Sequence, residues 1–338
     1  MPRPIRLIDL HCDWVLQYAT ETTVFDPSLY PGIGACLSQA EGDLQGTSAS
    51  VLACFRVADE WTRRADPWAA LGDLIARIEA EFPGRLLIGH EDAARWRDDP
   101  DGLCWGVIGV EGFDSLVRTP ADLDRLPGLF NRGVRVFQPV YTERSVLAGS
   151  ASAGDDRGLF DLGRAFLEVL SALAPGPSGP RPVLDLAHLN PIAASDVLDW
   201  FEADETRAGR LIPVYSHGAL THEGFDRPRA ISPENLARLR ALGGVIGFSV
   251  SPPFYPTADA LRAGIEAAAG MPFRGRPGYE GIAIGTDFLG VSQTLPGLGN
   301  VAEVMNWFET TFESATAAAL IAGNARALLT AVTGERPV

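Results

Sequence analysis

The chain has 338 residues, 46% hydrophobic and 21% charged, ordinary globular values that argue against a disordered tail or a membrane protein and leave room for one large β/α barrel. With 28 basic against 43 acidic residues the net charge is −15, which speaks against binding a phosphate backbone. All 28 basic residues are arginine, and a chain without lysine has no Schiff-base lysine, no P-loop lysine and no carbamylated-lysine metal bridge.

Taken in chain order, short apolar runs of β type alternate with segments of helical period. A strand is expected over Ile5–Leu10, then a long polar loop over Thr20–Gly46, a strand over Ser50–Phe55 and a helix over Trp68–Phe82. Leu86–His90 reads as an edge element or loop before a helix at Glu91–Asp98. Strands at Cys104–Val110 and Val134–Val140 flank a helix at Ala121–Phe130, and a helix at Leu159–Leu173 leads through the stiff, proline-rich Ala174–Pro182 to a strand at Val183–Leu186. The remaining strands, Leu211–Tyr215, Val245–Val250 and Ile282–Gly285, alternate with helices at Pro191–Phe201, Pro233–Leu242, Ala258–Ala269 and Ala302–Phe312, and a final helix covers Ala315–Val332.

Eight such strands, rich in Val and Ile and without in–out alternation, are those of a parallel sheet buried on both faces. They predict an α/β (β/α)8 TIM barrel filling residues 1–338 as one domain, with a long loop after the first strand and a C-terminal helix. An open doubly wound sheet would carry a glycine-rich loop after its first strand, where His11-Cys12-Asp13 stands instead. The opening segment is too short in apolar residues for a signal peptide, and no apolar run comes near the roughly 18–20 residues of a membrane span. Cys12, Cys36, Cys54 and Cys104 show no C-x-x-C pair and read as free thiols of a cytoplasmic protein.

Barrel chemistry gathers at the C-terminal ends of the strands. Five of the eight runs close there on a metal-ligand type: His11 and Asp13, Glu111, His188, His217 and Asp287. A lone histidine in such a place is more often a hydrogen-bonding residue, and the plainer alternative for Glu111 is a strand cap, which its company of ligand types outweighs. Six together exceed what one tetrahedral zinc takes. Two ions fit better, with Glu111 as the carboxylate bridge. His90 reads as a helix-start residue, His222 as a rim or loop residue, and Trp14 as packing at the barrel top.

These residues carry a resemblance. Ile8-Asp9-Leu10-His11-Cys12-Asp13, Gly109-Val110-Glu111-Gly112, Gly133-Val134-Arg135, Asp185-Leu186-Ala187-His188, Tyr215-Ser216-His217, Arg227-Pro228-Arg229, Ile284-Gly285-Thr286-Asp287-Phe288 and Gly323-Asn324-Ala325-Arg326 resemble, in order and spacing, the membrane (renal) dipeptidase family of zinc metallopeptidases, a branch of the amidohydrolase-like barrels. The resemblance implies that His11 and Asp13 bind one zinc ion and His188 and His217 the other, with Glu111 and a water or hydroxide between them. It further implies that Asp287, beside the metals, handles the proton, and that Arg229 grips the free carboxylate of a dipeptide. Where the family carries a histidine that polarises the substrate carbonyl, this chain has Tyr141, as an oxyanion donor or as a wall of a changed pocket. Arg227 stands where the family often has histidine.

The activity so implied is hydrolysis of dipeptides, including those with a D-configured C-terminal residue, by a metal-held hydroxide; family members are commonly dimers. Two alternatives stand beside it: an amidohydrolase of N-acyl amino acids or related small amides, and a barrel that has lost catalysis and only binds. The partner expected in each case is a small molecule, with neither nucleic acid nor membrane.

Overall fold

The computed structural model describes residues 5–13, 46–55, 66–99, 102–176, 179–222, 228–291 and 293–334. Nearly all of the loop expected after the first strand lies outside these, as do Trp14, Cys36 and Arg227.

Nine parallel strands are present among the described residues: β1 (Leu7–Cys12), β2 (Thr47–Phe55), β3 (Trp105–Glu111), β4 (Val134–Gln138), β5 (Val183–Asp185), β6 (Ile212–Leu220), β7 (Ala230–Ile231), β8 (Val245–Phe248) and β9 (Ile282–Ile284). Eight of them close a barrel in the order β1-β2-β3-β4-β5-β6-β8-β9 and back to β1. The ninth, β7, is two residues long and pairs with the far end of β6 at Ala219 and Leu220. Sequence periodicity cannot see it, because two residues carry no period; what makes it is the extension of β6 five residues past the expected Tyr215. Leu86 makes only a single bridge, to Gly106, and that segment is held by the buried Arg135, whose guanidinium donates to Ile88 O at 2.9 and 3.1 Å and to Phe130 O at 2.6 Å.

The helices that wrap the barrel begin where the sequence offers caps. α1 (Pro67–Glu81) starts on Asp66, α5 (Pro191–Glu202) on Asn190, α6 (Pro233–Ala241) on Ser232, α7 (Ala258–Ala269) on Thr257 and α8 (Val301–Thr311) on Asn300, each side chain accepting a first-turn backbone N–H. Between α1 and α5 lie α2 (His90–Asp98), α3 (Leu126–Arg132) and α4 (Asp161–Leu173). The single helix expected over Ala121–Phe130 is a 3₁₀ turn over Pro120–Arg125 running into α3, because Pro127 removes an N–H from the ladder at that point.

The C-terminal helix divides into α9 (Ser314–Ala318), a π turn over Ala319–Gly323 and α10 (Asn324–Val332). Ser314–Val332 is 19 residues long with mean hydropathy 1.4, long and apolar enough to cross a membrane by length and composition, which corrects the expectation that nothing in the chain comes near that length. Here its Leu320, Ile321, Ala325, Leu329 and Val332 are buried in the core. Strand residues such as Leu7, Ile8, Leu52, Ile108, Phe137, Leu184 and Ile246 are fully buried, as parallel strands covered on both faces require. Cys12, Cys54 and Cys104 are buried.

Candidate metal centre

Two strands that carry histidines are irregular where the histidines stand. Asp9 pairs with Ser50 and Cys12 with Leu52, so three steps along β1 match two along β2, and the extra residue falls beside His11. On β6, Tyr215 pairs with Ile246 and Gly218 with Phe248, the same mismatch, with Ser216 and His217 between. Such bulges re-aim side chains beside a site. The second one needs room: a Cβ on Gly247 or Gly285 would lie 1.9 or 1.8 Å from Ser216 O, so only glycine admits the displaced β6 backbone.

His188 and Asp287 do not end their strands, as expected, but follow them by three residues. Both have positive φ, 67° and 60°, a left-handed conformation costly for residues with a Cβ and found mainly where function fixes it. His217 lies within β6 and Asp13 one residue beyond β1.

The side chains converge. Glu111, 2% exposed, sits at the centre. Its Oε1 lies 3.1 Å from His188 Nε2 and 3.6 Å from His217 Nε2, and its Oε2 lies 3.7 Å from His11 Nε2. His11 Nε2 lies 3.3 Å from Asp13 Oδ1, and His188 Nε2 lies 3.2 Å from His217 Nε2. His11 Nε2 and Asp13 Oδ1, both buried, make no hydrogen bond. Three groups could each hold a cation, with ligand atoms within 4.8 Å of one another: His11, Asp13 and Glu111; Glu111, His188 and His217; and His11, Asp185 and His217. The oxygens of Asp185 are already engaged, Oδ1 by the N–H groups of Ala187 and Ser216, each at 3.0 Å, and Oδ2 by the Ser216 hydroxyl, so Glu111 is the better-placed shared ligand. Asp287 belongs to none of the three groups but adjoins Asp13: a Cβ on Gly290 would lie 1.8 Å from Asp13 Oδ2 and 2.7 Å from Asp287 Oδ1.

Without a cation this cluster is electrostatically strained. Burial, with repulsion from Glu111 and Asp9, pushes Asp13 up to about 6. Burial and the Asp13 and Glu111 charges push Asp287 well above the carboxylate range. Burial would also lower His11, yet Glu111, Asp13 and Asp287 together hold it up to about 10. Burial opposes the charge on Glu111, but His11, His188 and Gln138 bring it down to about 2. Burial and the Arg229 charge lower His188 to about 4, and burial, His11 and Arg229 hold His217 well below the imidazole range. His188 and His217 are thus neutral, and Glu111, Asp13 and Asp287 are balanced by protons on His11 and on the raised carboxyls, a demand that a divalent cation would meet in their place. Imidazole nitrogen with carboxylate oxygen is a zinc-type donor set.

Tyr141 reaches the site, its ring 4.8 Å from that of His188 and its Cβ 2.9 Å from where a Cβ on Gly112 would stand. Arg229 acts by its charge on His188, His217 and Asp287. Its Nη1 is buried without a hydrogen-bond acceptor, its guanidinium lies 5.5 Å over the Phe254 ring, and its carbonyl accepts the Tyr215 hydroxyl at 2.7 Å. His222 lines the same side, stacked on Tyr255 at 4.9 Å, with Nε2 3.0 Å from Phe254 O. His90 opens α2, apart from the cluster, as expected.

Sequence reasoning passed over five supporting residues. Gln138 Nε2 donates to Glu111 Oε1 at 3.0 Å and to Val140 O at 3.1 Å. Asp9 accepts from His11 N at 3.2 Å, Thr286 N at 2.9 Å and Thr286 Oγ1 at 2.6 Å. Asp185 and Ser216 form the matching pair on the other side, with Ser216 Oγ 2.8 Å from His217 Nδ1. The available signal was position: an aspartate two or three residues before His11 and His188, and a hydroxyl residue immediately before His217 and Asp287.

Comparison with known proteins places the chain in a family. A family model described as membrane dipeptidase (peptidase family M19) matches residues 3–332. The chain is 26% identical over 234 residues to dipeptidase verJ of Clonostachys rogersoniana (68% of this chain, 55% of that protein) and 24% identical over 239 residues to dipeptidase tcpJ of Claviceps purpurea (69% and 51%). The chain thus spans about half the length of these curated relatives. A metallopeptidase of Rhodobacter sphaeroides, solved with a phosphinate mimic of the dipeptide L-Ala-D-Ala, has the same barrel, with a TM-score of 0.70 at 18% identity over 97% of this chain and 99% of that one. With a family match running almost end to end, the chain belongs to the membrane dipeptidase family of metallopeptidases.

Proposed function

We propose that the protein is a zinc-dependent dipeptidase that uses two ions. The observation that carries this reading is a buried Glu111 carboxylate set between His11 on one side and His188 and His217 on the other. His11 and Asp13 would hold one ion and His188 and His217 the other, with Glu111 as the shared carboxylate. When bound, the ions supply a water-derived nucleophile at neutral pH and polarise the scissile carbonyl.

The chain's own groups do the rest. Arg229 binds the C-terminal carboxylate of the dipeptide, for which its buried, acceptor-less Nη1 is poised. Asp287, beside Asp13, accepts the proton of the attacking water at its carboxyl oxygen and passes it to the leaving amine. Tyr141, beside His188, donates its phenol to the carbonyl oxygen as charge develops there. The L-Ala-D-Ala mimic held by the Rhodobacter sphaeroides protein supports a D-configured C-terminal residue among the substrates. The presence of Tyr141 favours a second reading, hydrolysis of N-acyl amino acids, in which the carboxylate anchor is retained and the free amine is not needed.

The test is a panel of L,L and L,D dipeptides and N-acyl amino acids offered to the zinc-loaded protein. Turnover of dipeptides is expected. Turnover of acylated amino acids alone would select the second reading, and turnover of neither would refute both.

A further inference from the structure

Two buried aspartates that hold no position in the proposed ligand set are built into the site in the same way. Asp9 ties β1, which carries His11, to Thr286, which precedes Asp287; it accepts both the N–H and the hydroxyl of Thr286 and, with the same Oδ1, the N–H of His11. Asp185 ties β5, which leads to His188, to Ser216, which precedes His217; it accepts both the N–H and the hydroxyl of Ser216 and, again with Oδ1, the N–H of Ala187. Each aspartate thus joins two strand ends that carry different members of the cluster, and both are buried, Asp185 completely.

We propose that the Asp9–Thr286 and Asp185–Ser216 pairs are positioning braces, one for each half of the metal centre, and that the second also fixes His217 as its Nδ1–H tautomer. The inference rests on the two-ion reading above for its metal consequence, but not for its tautomer. Ser216 Oγ has one proton, and a carboxylate only accepts, so that proton goes to Asp185 Oδ2. The remaining 2.8 Å contact between Ser216 Oγ and His217 Nδ1 then requires the imidazole to be the donor. A neutral ring with its proton on Nδ1 turns a bare Nε2 toward Glu111 and His188, the atom a metal needs. His188 Nδ1 has no hydrogen-bond partner, so the two imidazoles of that half-site differ: one tautomer is built in, and the other is set by the ion.

Two readouts test this. In the metal-free protein, long-range ¹H–¹⁵N correlation spectra should show His217 as Nδ1–H in the wild type and in Ser216→Thr, which keeps the hydroxyl, and a mixture in Ser216→Ala. Asp185→Asn should reverse the relay: its amide donates to Ser216 Oγ, the hydroxyl then donates to Nδ1, and the ring proton moves to Nε2. Unchanged Nδ1–H in both Ser216→Ala and Asp185→Asn overturns the assignment. In competitive chelator titrations, Ser216→Ala should weaken one zinc ion about 10- to 100-fold and Thr286→Val the other, each leaving its companion within about 3-fold, the range found for outer-shell partners of metal ligands. Equal weakening of both ions, or of neither, overturns the braces. A wild-type chain that takes up no zinc would instead overturn the two-ion reading and leave the tautomer result to decide the brace at His217.

Discussion

Arg229→Gln isolates the substrate anchor from the metal centre. The backbone at this position is held independently of the guanidinium, since the Arg229 carbonyl accepts the Tyr215 hydroxyl, so the substitution removes a charged donor without releasing the loop. A hydrogen bond to a charged group contributes about 1.5–3 kcal/mol, which at about 1.4 kcal/mol per tenfold predicts a fall in kcat/KM of about 10- to 150-fold. The loss should fall mainly on KM, because the carboxylate is gripped in the ground state as well as in the transition state. The assay compares a dipeptide with its C-terminal amide. Wild type should favour the free acid by a factor of that size, and Arg229→Gln should treat the two alike. An equal loss on both substrates would mean that Arg229 acts on the metal centre through its charge and not on the substrate, and no loss on either would refute the anchor.

Other outcomes follow from the same geometry. Glu111→Gln removes the carboxylate that, among the described residues, faces His11, His188 and His217 together, so zinc content measured by plasma emission should fall and turnover should vanish while circular dichroism stays that of a folded barrel. Gly290→Ala places a methyl 1.8 Å from Asp13 Oδ2 and should displace Asp13 and Asp287; calorimetric zinc titration should show weakened binding although no ligand was changed, and wild-type affinity would refute the convergence of these carboxylates. Tyr141→Phe should lower kcat about 10- to 100-fold with little change in KM if the phenol donates in the transition state, within the range for loss of a single oxyanion donor or below it; an unchanged kcat would make Tyr141 a wall. Metal-free protein should lose stability as pH rises from about 6.5 toward 10. Burial disfavours charged His11, but Glu111, Asp13 and Asp287 hold it up to about 10, so the folded chain keeps a proton the unfolded chain has released, a slope of at most about 1.4 kcal/mol per pH unit for this group. Thermal melts across that range check the sign, and zinc, which binds the neutral ring, should flatten the slope.

Much of this was legible in the sequence for definite physical reasons. Strands buried on both faces have to be nearly continuous in apolar residues, so Cys104–Val110 and Val245–Val250 stand out without any alternation. Polar residues that interrupt or follow such runs are costly unless they are used, which is why His11, Glu111 and His217 could be singled out and why the structure finds them together. Less visible was the backbone that aims them. The bulges at His11 and Ser216 and the left-handed turns at His188 and Asp287 arise from contacts between strands remote in sequence, and the glycines that allow one of them, Gly247 and Gly285, look like any other strand glycine until Ser216 O is placed against them. Asp9 and Asp185 were hidden because an aspartate in an apolar run gains its meaning only from the Thr286 or Ser216 that meets it across the sheet.

The central claim, a two-ion centre shared through Glu111, is met most directly by titrating chelator-stripped protein with Zn²⁺ while following bound metal and hydrolysis of L-Ala-D-Ala in the same samples. Two zinc ions per chain, with activity that rises as the second is taken up, is the predicted result. Binding of less than one ion per chain, with no activity restored at any zinc concentration, would contradict it.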